Sequence, residues 1–157
     1  MAELKVWVVS VSYRSAQLMI DCLRSVASER SSGLDLRAVV VDNASGDFPI
    51  LSQAVGENGC SSWVRVVLAP RNGGFAYGNN LGIQLAMENG ADYLLLLNPD
   101  TQVRPSAIAS LLAFLQGHPG VAIAGPASRT ATARSGRSHS GSPRSALNSV
   151  PRSASGS

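Results

Sequence analysis

The chain has 157 residues, of which 45% are hydrophobic and 15% charged, as is typical of one globular domain with a buried core and not of a disordered or fibrous protein. Its formal net charge of +3 arises from five arginines after residue 128, because the preceding part contains all ten acidic residues and has a net charge near −2. The basic balance is therefore weak evidence for a nucleic-acid partner, and we expect none.

The two cysteines, Cys22 and Cys60, are far apart and form no CxxC motif, so they predict neither a disulfide framework nor a zinc site. We expect reduced thiols that fill space. No apolar run is long enough to span a bilayer, and the start of the chain lacks the features of a signal peptide. The sequence therefore predicts a cytoplasmic protein without a transmembrane segment, at most peripheral at the inner face of the membrane.

Strand-like and helix-like patterns alternate over the first 126 residues. Short apolar, β-branched runs predict buried strands at residues 6–11, 36–41, 63–68, 93–97 and 121–124. Apolar residues at helical spacing predict helices at residues 15–29 and 48–55, from 76 to about 89, and from Pro105 onward. Strands separated by helices form a mostly parallel sheet through right-handed crossovers, so the sequence predicts an α/β fold.

Three of these helices have a predicted inner face, which in the helix after Pro105 would contain Ile108, Leu111, Leu112 and Leu115. In the first helix this face would contain Leu18, Cys22 and Val26. In the third it would contain Leu81, Leu85 and Met87.

Residues 127–157 differ in composition and consist mainly of Ser, Arg, Ala, Gly and Thr. Such a segment cannot bury enough apolar surface to offset an ordering entropy of about 1–2 kcal/mol per residue. The sequence therefore predicts a domain over residues 1–126 and a disordered tail over 127–157, which is a linker, or an out-of-frame or artificial end.

Polar residues follow three of the predicted strands at the point where each ends. Asp42 and Asn43 follow the second strand, Asn72 to Gly74 follow the third, and Asn98 to Asp100 follow the fourth. Open parallel sheets bind ligands at the carboxyl ends of their strands, so these residues are the candidate site.

Asp42 has two possible roles. Its carboxylate can accept hydrogen bonds from a nucleobase N–H or a ribose hydroxyl, or it can cap the following helix. The residues themselves favour neither role.

The segment from Asn72 to Gly82, NGGFAYGNNLG, predicts close approach of backbone to a ligand, because adjacent glycines allow it. The helix that follows would direct its free N–H groups at the same edge, where a diphosphate could lie. A plain glycine turn is the alternative, but Gly82 inside the helix, at a cost of about 1 kcal/mol against Ala, weighs against it. The segment is neither a Walker loop nor a GxGxxG motif.

Asp100 is a candidate ligand for Mg²⁺ or Mn²⁺, which proteins hold with one or two carboxylates together with phosphate oxygens. Such a cation would neutralise charge on a leaving diphosphate. Asn98 could add a neutral oxygen or hold the ribose. As the alternative, Asp100 could cap the helix near Pro105, but the distance along the chain is too long.

Three segments in this order and spacing resemble the family 2 glycosyltransferases, particularly the rhamnosyltransferase-like group. They are VVVDNASGD at 39–47, NGGFAYGNNLG at 72–82 and LLLNPDT at 95–101, and the resemblance covers about residues 5–126. It implies the GT-A fold, a Rossmann-like three-layer α/β/α architecture, here truncated after the donor-binding part.

The resemblance also implies roles for individual residues. The family residue that matches Asp42 binds the nucleotide base or ribose. The family residue that matches Asp100 is the second acid of a DxD-type motif and binds the metal. Asn98 replaces the first Asp of that motif, and Ser12 stands where many members have Asn for a base contact. The implied nucleotide-sugar-binding set is Ser12, Asp42, Asn43, Asn72, Gly74, Phe75, Asn79 and Asn98.

The implied reaction is inverting, metal-dependent transfer of a sugar from a UDP- or dTDP-sugar to a polysaccharide or lipid-linked acceptor. The family's catalytic base is an Asp or Glu after the donor site, but Asp100 is the last acidic residue of this chain. His118 lies in a predicted turn, His139 in the predicted tail, and the loop of Asp47 serves the nucleotide side. We therefore expect the base to be absent.

Two alternatives to an active transferase follow: a nucleotide-sugar-binding fragment without turnover, and a protein that interacts through its basic tail. The family's sheet continues beyond the donor part, so we also expect an open sheet edge and self-association through it.

Overall fold

The structure is a computed structural model that describes residues 4–32 and 34–126. The strands are β1 (Lys5–Ser12), β2 (Asp35–Asp42), β3 (Val64–Leu68) and β4 (Tyr93–Leu96). The α-helices are α1 (Ala16–Ala27), α2 (Phe48–Glu57), α3 (Gly74–Glu88) and α4 (Ala107–Gly117), and a 3-10 helix (Ser28–Ser32) follows α1. The predicted tail, residues 127–157, lies outside the described residues.

The four strands form one parallel sheet in the order β3-β2-β1-β4. The register pairs Val9 of β1 with Val39 on one side and Leu96 on the other. The chain moves outward from β1 to β3, then crosses back through α3 to place β4 beside β1. The strand order thus reverses at β1, and the carboxyl ends of β1 and β4 flank the position where such sheets bind ligands.

The two faces of the sheet are covered differently, as the alternation of side chains in a strand requires. Helices α1, α2 and α4 cover one face, which contains Val6, Val8, Leu36, Ala38 and Val40. Helix α3 alone covers the other face, which contains Trp7, Val9, Val39 and Val41. The predicted α/β fold with a mostly parallel sheet is confirmed.

Helix α3 packs on β1 through glycines that face the strand. A Cβ atom on Gly78 would lie 2.7 Å from a methyl of Val11, and one on Gly82 would lie 2.6 Å from a methyl of Val9. This contact explains why Gly82 lies inside the helix, since a larger residue there would push the helix off the sheet.

Three local predictions are wrong. Leu18 is exposed and Met19 is buried instead, and Met87 is exposed while Ala86 is buried. The other predicted inner-face residues of these two helices are confirmed: Cys22 and Val26 are buried, and Leu81 and Leu85 pack against the core. Residues 121–124 form no strand, since no described strand pairs with them, and Ile123 is exposed. Within 4–32 and 34–126, no helix has the length and apolar character needed to cross a bilayer.

Candidate functional site

The predicted site residues lie on the loops at the carboxyl edge of the sheet. Ser12 and Asp42 end β1 and β2 and are register partners, and the Asn43 N–H donates to the Ser12 carbonyl at 2.9 Å. The segment Asn72–Gly74 leads into α3, and Asn98 and Asp100 follow β4. The fold thus brings all three motif loops to one edge, as the parallel topology predicts.

Asp42 is fully buried, and both its carboxylate oxygens are engaged within the loop that follows β2. Oδ1 accepts hydrogen bonds from the N–H and the hydroxyl of Ser45, at 3.0 and 2.5 Å, and Oδ2 accepts one from the N–H of Phe48, at 3.0 Å. Phe48 is the first residue of α2, so Asp42 caps that helix in this structure. Its contact with a nucleotide stays a prediction.

Asp47 joins this loop to the start of α1. Its Oδ2 accepts hydrogen bonds from the N–H groups of Ser15 and Ala16, at 2.8 and 3.1 Å. A carboxylate at a helix N-terminus is favoured by the helix dipole. That Asp47 is a poor catalytic base stays a prediction.

Asn43 ties the β2 loop to the glycine-rich loop. Its Nδ2 donates to Asn72 Oδ1 at 3.0 Å and to the Gly74 carbonyl at 3.2 Å, and its Oδ1 accepts from the Gly73 N–H at 3.3 Å. The side chain is 3% exposed. One buried amide therefore sets the distance between two of the three predicted site loops.

The N-terminus of α3 is open toward the same edge. The helix begins at Gly74, which has a φ of +83° and donates its N–H to Asn72 Oδ1 at 3.0 Å; among the described residues, no side chain accepts from the N–H groups of Phe75 and Ala76. Phe75 is exposed, whereas Asn79 is buried and donates to the Phe75 carbonyl at 2.9 Å. Uncapped N–H groups at a helix start form a favourable position for an anion.

Arg71 was missed in the sequence analysis. It lies directly before the glycine-rich loop, with its guanidinium 4.8 Å from the centre of the Tyr77 ring. Its position beside Asn72 in the sequence could have marked it as a candidate site residue. The guanidinium places a positive charge near the start of α3.

The turn after β4 presents Asn98 and Asp100 to solvent. The Asp100 carboxylate accepts no hydrogen bond and forms no ion pair within the described residues. It does not cap α4, because that position belongs to Glu29. The Glu29 oxygens accept from the N–H groups of Ser106 and Ile108, at 2.6 and 3.1 Å.

Cys22 packs behind this turn. Burial, together with the nearby charge of Asp100, raises the pKa of the Cys22 thiol to about 11, so the thiol keeps its proton at neutral pH. Its Sγ–H donates to the Asn98 carbonyl at 3.8 Å.

A divalent cation could be held at this edge by two protein ligands together with a bound phosphate, but not by protein side chains of the described residues alone. The described residues contain no group of three or more His, Cys, Asp or Glu side chains that could enclose a metal. Asn98 and Asp100 offer two hard oxygen ligands, which suits Mg²⁺ or Mn²⁺ completed by phosphate oxygens and water.

Comparison with known proteins identifies the family. The sequence model of Glycosyl transferase family 2 matches residues 7–153. No curated protein sequence matches the chain.

Solved structures share the fold. The chain is similar to residues 1–349 of TarS from S. aureus in complex with UDP-GlcNAc, with a TM-score of 0.61, 22% identity, and coverage of 74% of this chain and 32% of that one. It is also similar to the mannosyltransferase PcManGT from Pyrobaculum calidifontis in complex with GDP-Man and Mn²⁺, with a TM-score of 0.58, 20% identity, and coverage of 73% and 33%. The chain spans about a third of the length of these structures.

At these identities the similarity shows the fold alone, and it confirms the GT-A architecture predicted for the chain. The family match extends over most of the sequence. The chain belongs to glycosyl transferase family 2.

Proposed function

We propose that residues 1–126 bind the nucleoside diphosphate part of a sugar donor at the carboxyl edge of the sheet, as the donor-binding part of a glycosyltransferase. The observation that carries this proposal is the meeting of three motif loops at that edge, beside an exposed carboxylate, Asp100, without a protein partner among the described residues. The complexes of the structural neighbours with UDP-GlcNAc and GDP-Man support it.

The predicted site residues divide into two groups by exposure. The exposed group would contact the donor and consists of Asn72, Gly74, Phe75, Asn98 and Asp100. The buried group would hold the loops in place and consists of Ser12, Asp42, Asn43 and Asn79. We propose that the base or ribose lies against residues 44–46. The hydrogen bonds that Asp42 accepts from Ser45 and Phe48 would hold this loop in place.

The diphosphate would lie between the start of α3 and Asp100. The N–H groups at the helix start would bind its oxygens, and Arg71 would add positive charge nearby. A divalent cation, Mg²⁺ or Mn²⁺, would be held by Asp100 and Asn98, where it supplies charge neutralisation for the leaving diphosphate. The Mn²⁺ in the PcManGT structure supports this assignment.

Donor and acceptor are proposed only by class. The donor would be a UDP- or dTDP-sugar, as the resemblance to rhamnosyltransferase-like enzymes implies, and the GDP-Man complex of PcManGT adds GDP to the nucleotides worth testing. The acceptor would be a polysaccharide or a lipid-linked saccharide.

Donor binding without turnover is the second candidate for these 157 residues. Transfer requires a general base to deprotonate the acceptor hydroxyl. The sequence contains no Asp or Glu after Asp100, and the described contacts of Asp47 engage it at the start of α1. We therefore propose that this chain binds donor but does not by itself complete the transfer.

Paramagnetic broadening of amide signals by Mn²⁺ tests the location of the site. With UDP, dTDP or GDP present, we expect Mn²⁺ to broaden the signals of residues 73–76 and 98–101. The signals of Gly90 and Asp92, which lie just before the amino end of β4, should stay sharp and serve as the internal control. Broadening centred at the amino ends of the strands, or broadening that does not depend on the nucleotide, would contradict the proposal.

A further inference from the structure

The segment between β4 and α4, residues 97–106, has no regular secondary structure yet carries Asn98 and Asp100. A ten-residue connection of this kind needs contacts outside itself if its side chains are to keep a fixed direction. At Leu97 these contacts come from β1, through the Val9 carbonyl at 3.0 Å and the Ser10 hydroxyl at 2.6 Å. Beyond Leu97 they come from one side of α1 and of the 3-10 helix that follows it.

Three side chains at helical spacing hold this segment at successive points. Cys22 donates its thiol proton to the Asn98 carbonyl. Ser25 accepts from the Val103 N–H at 3.0 Å and donates to the Cys22 carbonyl at 2.6 Å. Glu29 completes the row and binds the start of α4 through the N–H groups of Ser106 and Ile108.

Glu29 is the strongest of the three anchors. It is 2% exposed, and a buried carboxylate is costly unless it is paired or hydrogen-bonded. Here each carboxylate oxygen of Glu29 accepts a hydrogen bond from one main-chain N–H at the start of α4. The dipole of that helix also favours negative charge at this end. An amide side chain would turn one of these acceptors into a donor that faces another donor.

We propose that Glu29, together with Ser25, is a positioning residue for Asp100. Neither side chain touches the proposed donor. They hold the chain at Val103 and at the start of α4, on the C-terminal side of Asp100. The Cys22 thiol holds Asn98 on the N-terminal side, so the directions in which the Asp100 carboxylate can point are limited. This inference rests on the proposed function, because it assigns the anchored segment a purpose in cation binding.

Glu29→Gln is the test variant, with Glu88→Gln as its matched control. Glu88 lies on the surface at the end of α3, where it accepts from Gln84 at 2.9 Å, so its substitution removes one charge far from the segment. Ser25→Ala is a second, milder variant in case Glu29→Gln does not fold. Two quantities are measured: amide hydrogen exchange of residues 98–106, and the affinity for Mn²⁺ in the presence of UDP.

We expect Glu29→Gln to speed exchange in residues 98–106 and to weaken Mn²⁺ binding up to about tenfold. This is the lower end of the loss for a direct partner of a metal ligand, because Glu29 acts on Asp100 only through the chain between them. UDP affinity without metal should change less than about twofold, since the other two loops are untouched. Ser25→Ala should shift both quantities in the same direction, and Glu88→Gln should shift neither.

A lower melting temperature with wild-type exchange in residues 98–106 and wild-type Mn²⁺ affinity would overturn the inference, because a merely structural role gives that result. Failure of the wild-type chain to bind Mn²⁺ with any nucleotide would instead contradict the proposed function. It would overturn the cation-binding purpose of the anchor as well, even if exchange still showed that Glu29 holds the segment.

Discussion

At the scale of single residues, the glycines of α3 determine how closely this helix lies on the sheet. Gly82 has the methyls of Val9 and Val39 at 2.6 and 3.3 Å from the position of an added Cβ. Gly56, in α2, has nothing within 4 Å of the same position. The two glycines therefore form a matched pair for the effect of one methyl group.

Gly82→Ala should lower the free energy of unfolding, because the cost of overpacking a core, about 1–3 kcal/mol, exceeds the gain in helix propensity of about 1 kcal/mol. Gly56→Ala should raise the free energy of unfolding by up to about 1 kcal/mol, since only the propensity changes. Urea denaturation of both variants measures the difference. Equal stabilisation by both substitutions would show that α3 does not pack on β1 as described.

Single residues also show where sequence reasoning ends. Asp42, Asn72 and Asp100 could be chosen as candidates because each lies in the loop that follows a predicted strand, and parallel topology brings those loops to one edge. Glu29 offered no such signal, because its partners lie 77 and 79 residues away in sequence. Only the folded chain shows which helix start it caps.

At the scale of elements, Asn43 connects the β2 loop with the glycine-rich loop. It makes three hydrogen bonds to residues 72–74 from a buried position. Asn58, at the end of α2, makes one similar bond, to the Ala54 carbonyl at 2.7 Å, but is exposed and remote from the site edge.

Asn43→Ala should weaken nucleotide binding about tenfold or more, a loss of at least about 1.4 kcal/mol of binding free energy. The reason is that the start of α3 and the β2 loop are no longer held at a fixed distance. The free energy of unfolding should fall by about 1–3 kcal/mol, since three hydrogen bonds made by a buried side chain are lost. Asn58→Ala should leave nucleotide affinity unchanged. Calorimetric titration with UDP, dTDP and GDP checks both; an Asn43→Ala variant with wild-type affinity would show that the connection does not serve binding.

The positions of the four strands and four helices were predicted within a few residues, because buried parallel strands and amphipathic helices have strong local patterns. The fifth strand, at 121–124, was wrong for a reason that local pattern cannot supply. An apolar run becomes a strand only when a neighbouring strand completes its hydrogen bonds, and no described strand does so here.

At the scale of the whole molecule, β4 forms one edge of the described sheet and leaves apolar side chains uncovered. Leu94 and Leu96 lie on the α3 side of this strand, and Leu96 is 52% exposed. An open edge with exposed apolar residues favours pairing with another chain. Leu68, at the end of the opposite edge strand β3, is 53% exposed and provides a comparison of equal exposure.

We expect the chain to self-associate with increasing concentration and Leu96→Lys to reduce this association, because edge lysines oppose strand pairing. Leu68→Lys should have a smaller effect, since β3 already carries an exposed charged residue, Arg65, that opposes strand pairing, whereas β4 carries none. Sedimentation velocity over a range of concentrations measures both variants. A wild-type chain that stays monomeric at all concentrations would refute the prediction.

The domain boundary predicted at residue 126 also belongs to this scale and stays a prediction. Composition changes sharply there, whereas the family match continues to residue 153. Residues 127–157 lie outside the described part of the chain, so the predicted disorder of this segment is untested.

The most direct test of the central claim is thermal melting with UDP, dTDP or GDP, with and without Mn²⁺, on the wild type, Asp100→Ala and Asp92→Ala. Asp92 is the matched control, because it lies at the other end of β4 and binds the Lys5 N–H at 2.9 Å. A bound nucleotide at a hundredfold its Kd should add about 2.7 kcal/mol, a rise in Tm of about 5–10 °C. The account predicts a Mn²⁺-dependent rise that Asp92→Ala keeps and Asp100→Ala loses. A cooperative melt that no nucleotide shifts, or an equal shift in Asp100→Ala, would contradict it.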